Sequence, residues 1–198
     1  VLGKTPHPWN IIVSFDATDI PFEHIIFNVD PEEKLDVVIG TSPQGAKYIA
    51  ELCSKPQMMF GPYATSKEVD SDLAHVRKGL EENPDKMPIF ITGATNRPDS
   101  QVLLYLLRQL GLERLLIESP SYNWHLMENK ALDEFFINYS MVYAGGTITP
   151  GLKAPFTHEN HPHAQLLTVG MHKSSFIFTR QKIYYDVTGS VDLAKYKY

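Results

Sequence analysis

Continuous runs of apolar and β-branched residues constrain the fold of this chain more than any other feature. Such runs occupy residues 9–14, 35–40 and 87–92. They lack the alternation of a half-exposed strand, so each predicts a strand that is covered on both faces, as in a parallel sheet. Helical periodicity follows two of these runs, in residues 46–53 and 100–110. The chain is therefore predicted to be an α/β protein whose largely parallel sheet has helices on both faces.

Helix signals are strongest after residue 98. Asp99 or Ser100 is the expected N-cap, and Gly111 is the expected left-handed stop. Four leucines are expected to lie on one face of this helix: Leu103, Leu104, Leu107 and Leu110. Weaker patterns predict a strand at residues 25–29, a helix at residues 69–80 and a strand at residues 115–117. A loop at residues 118–122 and then a further helix are expected between that strand and residue 132.

The last third of the chain breaks the alternation of strands and helices. Four strand-like runs follow one another without helices between them, at residues 135–142, 166–169, 175–180 and 183–187. Strands in such a succession pair antiparallel, so they are expected to complete the sheet. Phe176 and Phe178 are expected on one face, which suits the core or a dimer interface. All 198 residues are assigned to a single domain.

Composition narrows the classes of function. A net charge of −5 disfavours a protein that neutralises many phosphates, so general nucleic-acid binding is not expected. No apolar run reaches the roughly 20 residues that a membrane helix needs, and no signal segment is visible. The single Cys53 cannot form an internal disulfide and is interpreted as a small buried apolar residue. A cytoplasmic protein is expected.

Three ordered segments resemble a known family. Residues 110–120 (LGLERLLIESP), 132–137 (LDEFFI) and 143–147 (YAGGT) follow the order and spacing of the reductase domain of riboflavin biosynthesis. Residues 8–16 (PWNIIVSFD) and 37–42 (VVIGTS) are similar to earlier parts of that family. The resemblance implies a dihydrofolate-reductase-like, three-layer fold with a mostly parallel central sheet and antiparallel C-terminal strands. It also implies NADPH as cofactor, a small heterocyclic or phosphoribosyl substrate, and a homodimer.

The same resemblance places the cofactor across the carboxyl ends of the strands. The residues that it assigns to NADPH are Ser14, Asp16, Thr41, Ser42, Ser119, Pro120 and Ser121. Glu118 is assigned to the substrate pocket, and the hydride comes from the nicotinamide rather than from a side chain. A 2′-phosphate prefers a basic neighbour, for which Lys4, Lys47 and Arg97 are the candidates.

Two departures from the family leave the predicted fold unchanged but argue against ordinary NADPH-dependent catalysis. Ser119 and Pro120 stand where the family has two glycines, which let the backbone approach a phosphate. The family's first strand, the helix after it and its second strand are not found in this sequence, which is expected to lack that N-terminal part, so no catalytic residue is assigned. An NADPH-dependent reductase is the first hypothesis. The alternative is a non-catalytic protein of the same fold that binds a small ligand or a protein partner. A Rossmann-like protein is a third, weakened by the lack of a Gly-x-Gly-x-x-Gly fingerprint.

Each candidate site residue also has a structural interpretation. Ser, Thr and Asp are common helix caps and turn formers. Asp133 and Glu134 are adjacent in the chain, so their side chains point apart and do not form a proton-sharing pair. The histidines in residues 158–163 are suitable metal ligands, but their spacing matches no compact motif and a metal site is not expected.

Overall fold

The structure, a computed structural model, describes residues 8–28, 36–141, 156–157 and 161–185. Contacts divide the chain into two compact units, with the division between Leu115 and Leu116. The first unit is built on a parallel sheet and the second on an antiparallel sheet. Within the described stretches, no helix combines the length and the apolar character needed to cross a membrane.

The first unit contains a four-stranded parallel sheet flanked by helices. In the order β1-β2-β4-β3, the strands are β1 Asn10–Val13, β2 Val37–Thr41, β4 Met87–Thr92 and β3 Gln57–Tyr63. The helices are α1 Pro43–Leu52, α2 Ser66–Glu82 and α3 Ser100–Gln109. The α/β class and the parallel pairing predicted from the apolar runs are confirmed.

Alternate residues of the central strands face different helices. Ile39 of β2 shares a core with Ile49 of α1, whereas Val38 shares another core with Val76 of α2 and Leu103 of α3. Strand order explains this, since the chain moves two positions along the sheet from β2 to β3 and then one position back to β4. Right-handed crossovers that run in opposite directions place their helices on opposite faces. The first unit is therefore a three-layer arrangement of helix, sheet and helix.

The residues predicted to begin, end and bury helix α3 have these roles in the structure. The Asp99 carboxylate is the N-cap and accepts hydrogen bonds from two first-turn N–H groups at 2.9 and 3.0 Å. Gly111 follows the helix with a φ of 95°, a left-handed conformation that favours glycine. Leu103 and Leu107, two of the four predicted face leucines, are fully buried. The caps and the apolar face thus both follow from the sequence.

The strand predicted at residues 25–29 is wrong. Ile25–Phe27 form a single 3₁₀ turn instead, and Val29 lies outside the described residues. A His24 ring nitrogen caps this turn by accepting a hydrogen bond from the N–H of Ile26 at 3.3 Å. Local bonds from side chain to backbone compete with strand pairing, and here the turn prevails.

One strand of the parallel sheet is missing from the sequence-based prediction. The Met-Met-Phe run at residues 58–60 leads into Gly61 and Pro62, which are turn signals by sequence. The segment nevertheless forms β3, an edge strand whose register shifts between Phe60 and Tyr63. Proline is tolerated there because edge strands and irregular pairings leave some N–H positions without a partner. Pairing with β4 overrides the local turn signal.

The second unit contains helix α4 and an antiparallel sheet. Helix α4 is Pro120–Glu128, and in the order β5-β7-β6 the strands are β5 Glu134–Ser140, β7 Phe176–Tyr184 and β6 His163–His172. The antiparallel pairing is confirmed, but the expectation that these strands complete the parallel sheet is wrong, because they form a sheet of their own. Residues 175–180 and 183–187 were predicted as two strands, yet Gln181 and Lys182 continue the pairing with β5, so β7 is continuous.

The strand predicted at residues 115–117 is also wrong. Residues 112–119 contain no regular structure, and the side chain of Leu116 is 80% exposed. Leu112 and Leu115 pack instead against the core that contains α3. An apolar run of three residues does not specify a strand without a partner to pair with.

Candidate functional site

Loops of the first unit meet at the carboxyl edge of the parallel sheet. Strand β2 pairs with β4, but the loop after β2 leads to α1 on one face, whereas the loop after β4 leads to α3 on the other. Neighbouring loops that leave in opposite directions create a topological switch point, which is where open α/β sheets bind their ligands. This edge is the candidate site.

Buried hydroxyl groups form the floor of the edge. Ser14 and Thr41 are 4% and 0% exposed. Ser14 Oγ donates to the Asp19 carboxylate and accepts from the N–H of Ala17. Thr41 Oγ1 donates to the carbonyl of Phe15 at 3.4 Å. Both hydroxyls therefore hold the loop after β1 in its position against the end of β2.

Backbone N–H groups in the first turn of α1 already donate hydrogen bonds within the protein. Ser42 is its N-cap and accepts from the N–H of Gly45 at 3.2 Å. Pro43 occupies the first turn and has no N–H. The N–H of Gln44 donates to the carbonyl of Thr95, in the loop after β4, at 2.9 Å. This helix end therefore joins the two loops of the switch point, and its N–H groups are not arranged to receive a phosphate.

Asp16 carries a well-defined negative charge on the rim. Its carboxylate accepts from the hydroxyl of Thr18 at 2.7 Å and from the Thr18 N–H at 3.1 Å. These bonds, the hydroxyl bond first, lower the pKa of Asp16 below its ordinary value because they stabilise the ionised form. The carboxylate is ionised at neutral pH, so it suits a hydrogen-bond donor such as a sugar hydroxyl.

The loop after β4 brings Arg97 beside the loop after β1. Gly93 has a φ of 73°, and a Cβ at this position would lie 2.3 Å from the carbonyl oxygen of Arg97, so the turn requires glycine. The N–H of Arg97 donates back to the carbonyl of Ala94 at 3.3 Å. The guanidinium carbon of Arg97 lies 5.8 Å from the centre of the Phe15 ring, which is 42% exposed. A cation and an aromatic ring thus face the rim together.

Sequence reasoning missed this pairing. Arg97 is among the candidates for a 2′-phosphate, but Phe15 belongs to no motif, and no local signal shows that two residues so far apart in the chain meet. The structure offers less support for the other two basic residues predicted to contact a 2′-phosphate. Lys47 is exposed on α1, and Lys4 lies outside the described residues.

Four of the seven residues assigned to NADPH gather at this edge. They end or directly follow β1 and β2, and they are Ser14, Asp16, Thr41 and Ser42. Ser42 caps α1, Ser14 and Asp16 stabilise the turn after β1, and Thr41 ties that turn to the end of β2. Their contact with a cofactor stays a prediction.

The other assigned residues belong to the second unit. Ser119 is the N-cap of α4 and its Oγ accepts from the N–H of Tyr122 at 3.4 Å. Pro120 follows in the first turn, where the missing N–H carries no penalty. Glu118 is exposed and follows an irregular segment rather than a strand. Helix initiation explains the Ser-Pro pair, whereas the binding roles of Glu118, Ser119, Pro120 and Ser121 stay predictions.

The adjacent acidic residues bind different partners. Glu134 accepts two N–H bonds from Arg180 at 2.7 and 2.8 Å, and the Asp133 carboxylate lies 3.7 Å from the ammonium of Lys182. The prediction that they do not act as a pair is confirmed. In the part of the chain that the structure describes, no three His, Cys, Asp or Glu side chains come together in a manner suited to a metal ion. His158 lies outside that part.

No family model matches this sequence, and no curated protein does. The functional assignment therefore depends on the carboxyl edge of the parallel sheet. Its floor is rich in hydroxyl groups, and its rim carries the ionised Asp16 and the pair formed by Phe15 and Arg97. Such a surface suits a planar, hydroxylated ligand that also carries an anionic group.

Proposed function

We propose that the protein is an NADPH-dependent reductase of the dihydrofolate-reductase-like fold, similar to the reductase of riboflavin biosynthesis. The observation that carries this proposal is the switch point between β2 and β4, because open α/β sheets bind nucleotides at such points. The ordered segments at residues 110–120 and 132–137 support the family, and the third segment lies outside the described residues. A small heterocyclic or phosphoribosyl substrate, a cytoplasmic location and a homodimer belong to the same proposal.

The rim fits the adenosine part of NADPH. The exposed ring of Phe15 offers a stacking surface, the Asp16 carboxylate accepts from a ribose hydroxyl, and Arg97 attracts a phosphate. The first turn of α1 is bonded internally, so the pyrophosphate is not expected there. NADPH supplies the hydride when bound, and the residues of this chain bind and orient it.

Binding of NADPH to the whole chain tests the proposal. Thermal melting is measured with NADPH up to millimolar concentration, because a ligand that binds only the folded state raises the melting temperature. A rise that saturates is expected, together with oxidation of NADPH when a phosphoribosylamino-pyrimidine is added. Asp16→Asn is expected to weaken binding, and Glu51→Gln, which alters an exposed carboxylate on α1, is the matched control. An unchanged melting temperature at millimolar NADPH contradicts the proposal.

A second candidate is a non-catalytic protein of the same fold that binds a small ligand or a protein partner. The first turns of α1 and α4 favour it, since their own N-caps and prolines use or remove N–H groups that could bind a phosphate. Replacing Ser119 and Pro120 by glycine separates the two candidates. A gain of NADPH affinity in the double variant indicates a degraded cofactor site, whereas tight NADPH binding by the unaltered chain contradicts the non-catalytic function.

A further inference from the structure

A cavity lies at the amino edge of the parallel sheet, at the other end of the strands from the candidate site. Its volume is about 480 Å³, which is within the range of pockets that bind small molecules. Residues that lead into the four strands line it: Trp9 before β1, Asp36 before β2, Lys86 before β4 and Lys55 two positions before β3. The whole cavity belongs to the first unit.

The apolar wall of the cavity is part of the core. Val38 lines it and is 1% exposed. Met58 and Leu80 also line it, and both are half-buried against the core that contains Val38. The ring of Trp9 packs against the same core. Close packing behind these side chains gives the wall a fixed shape, so it offers an apolar surface to a ligand.

Polar groups without a protein partner line the same cavity. Among the described residues, no hydrogen bond or ion pair involves the side chain of Trp9, Asp36, Lys55 or Lys86. The indole contributes one N–H donor, the carboxylate accepts, and each ammonium has three donors. Trp9, Asp36 and Lys55 are half-buried, so their polar groups lose part of their hydration without gaining a bond. A ligand with complementary groups would supply those bonds.

Backbone hydrogen bonds hold two of the charged residues in place. The carbonyl of Asp36 accepts from the N–H of Asn10 at 2.7 Å, which ties the start of β2 to the start of β1. The N–H of Lys86 donates to the carbonyl of Asn83 at 3.1 Å and closes the turn before β4. These backbone positions are therefore set before a ligand arrives, which lowers the entropic cost of binding.

The charges follow the order of the strands. In the order β1-β2-β4-β3, Trp9 comes next to Asp36, and the two lysines lie on the other side of that carboxylate. Neighbouring strands are about 4.8 Å apart. An α-amino acid carries its ammonium and its carboxylate on one carbon, so its two charged groups match an acidic and a basic residue on neighbouring strands.

We propose that this cavity binds a free amino acid with an apolar side chain. The ammonium of the ligand bonds to Asp36 beside the indole of Trp9, which attracts a cation through its ring face. The carboxylate of the ligand bonds to Lys86 and Lys55, and its side chain packs on the apolar wall. The site lies outside the proposed nucleotide site and does not depend on the reductase function.

Calorimetric titration of the whole chain with leucine, in the absence of NADPH, tests the inference. 4-Methylpentanoate lacks the ammonium of leucine, and 3-methylbutylamine lacks its carboxylate, but both keep the branched apolar chain. We expect saturable binding of leucine at millimolar concentration or below. Each analogue is expected to bind about tenfold or more weakly, because it leaves one sign of charge in the cavity without a partner.

Charge-removing variants assign the two ends of the ligand. Asp36→Asn is expected to bind leucine about tenfold more weakly and to bind 4-methylpentanoate unchanged. Lys55→Gln combined with Lys86→Gln is expected to weaken leucine binding as much and to leave 3-methylbutylamine unaffected. Glu51→Gln and Lys67→Gln alter exposed charges on α1 and α2 and are the matched controls, expected to bind leucine as the unaltered chain does.

Lack of leucine binding by the unaltered chain at millimolar concentration overturns the inference. Equal affinity for leucine and 4-methylpentanoate also overturns it, because the site would then recognise only an anion. The same holds if Asp36→Asn binds leucine as tightly as the unaltered chain does. Should a variant fail to fold, the comparison of the three ligands on the unaltered chain still decides. NADPH binding is measured separately, so either proposal can fail while the other stands.

Discussion

At the scale of single residues, the candidate site depends on short-range bonds that sequence patterns describe well. Ser42, Asp99 and Ser119 are typical N-cap residues, and each caps a helix in the structure. The same residue types were assigned to a cofactor by family resemblance, and the cap role neither requires nor removes that function. Arg97 is different, because its position follows from the left-handed turn at Gly93.

Gly93→Ala is expected to destabilise the first unit by about 1–3 kcal/mol. An alanine would adopt a φ of 73° with its Cβ 2.3 Å from the carbonyl oxygen of Arg97, so the turn must move. Urea unfolding measures the loss. Gly170→Ala is the control, because no atom lies within 4 Å of a Cβ there; equal effects of the two substitutions would contradict the strained turn.

Thr18→Val is expected to raise the pKa of Asp16 towards its ordinary value, because the Thr18 hydroxyl is the largest cause of the lowered pKa. A lowered carboxyl pKa contributes stability above the unfolded value of about 3.9 and loses it as the pH falls through the folded value. The part of the difference in unfolding free energy that arises from ionisation of Asp16 should therefore vanish in strong acid. NMR titration of the Asp16 carboxyl measures the pKa, and Thr18→Ser, which keeps the hydroxyl, should titrate as the unaltered chain does.

At the scale of elements, burial on both faces explains why the parallel strands were predicted correctly. Every residue of β2 is buried, so its apolar run has a single interpretation. Cys53 at the end of α1 is 8% exposed and unpaired, as expected for a small apolar residue. In contrast, β3 and the segment at 115–117 are short runs whose state depends on a partner strand, which no local pattern reveals.

Leu103→Ala in α3 is expected to cost about 2–5 kcal/mol of unfolding free energy. Leu103 is 1% exposed, and its methyl group would lie 2.6 Å from a Cβ built on Gly40, so it fills the space above β2. Urea unfolding at equilibrium measures the cost. Leu104→Ala, one position along the helix and half-buried, should cost clearly less, and a comparable cost at both positions would show that Leu103 does not fill a closed core.

At the scale of the whole molecule, the chain comprises two compact units joined by an irregular segment. Residues 112–119 form neither helix nor strand, and the division of contacts falls between Leu115 and Leu116. Backbone without regular hydrogen bonds opens more easily than helix or sheet, so it is more accessible to proteases. The segments that support the proposed reductase family lie in both units, at residues 8–16 and 37–42 in the first and at residues 132–137 in the second.

Limited trypsin digestion is expected to cut after Arg114 before any site in the helices and strands of the described residues. Arg114 is exposed within the irregular segment, whereas Arg77 donates a hydrogen bond to the carbonyl of Gln109 at 2.7 Å from within α2. Mass spectrometry identifies the early fragments. Arg114→Gln should abolish the cut, and earlier cleavage after Arg77 would contradict a weakly protected segment.

The sequence by itself determined the α/β class, the positions of β1, β2 and β4, the caps of α3 and the antiparallel pairing of the last third. These features depend on local periodicity and on hydrogen bonds between residues that are close in the chain. Only the tertiary structure decided that β3 is a strand, that the antiparallel strands form their own sheet, and that Arg97 meets Phe15. Strand pairing and ring contacts join residues far apart in the chain. Their free energy is gained only when the whole unit is assembled, so no local pattern records it.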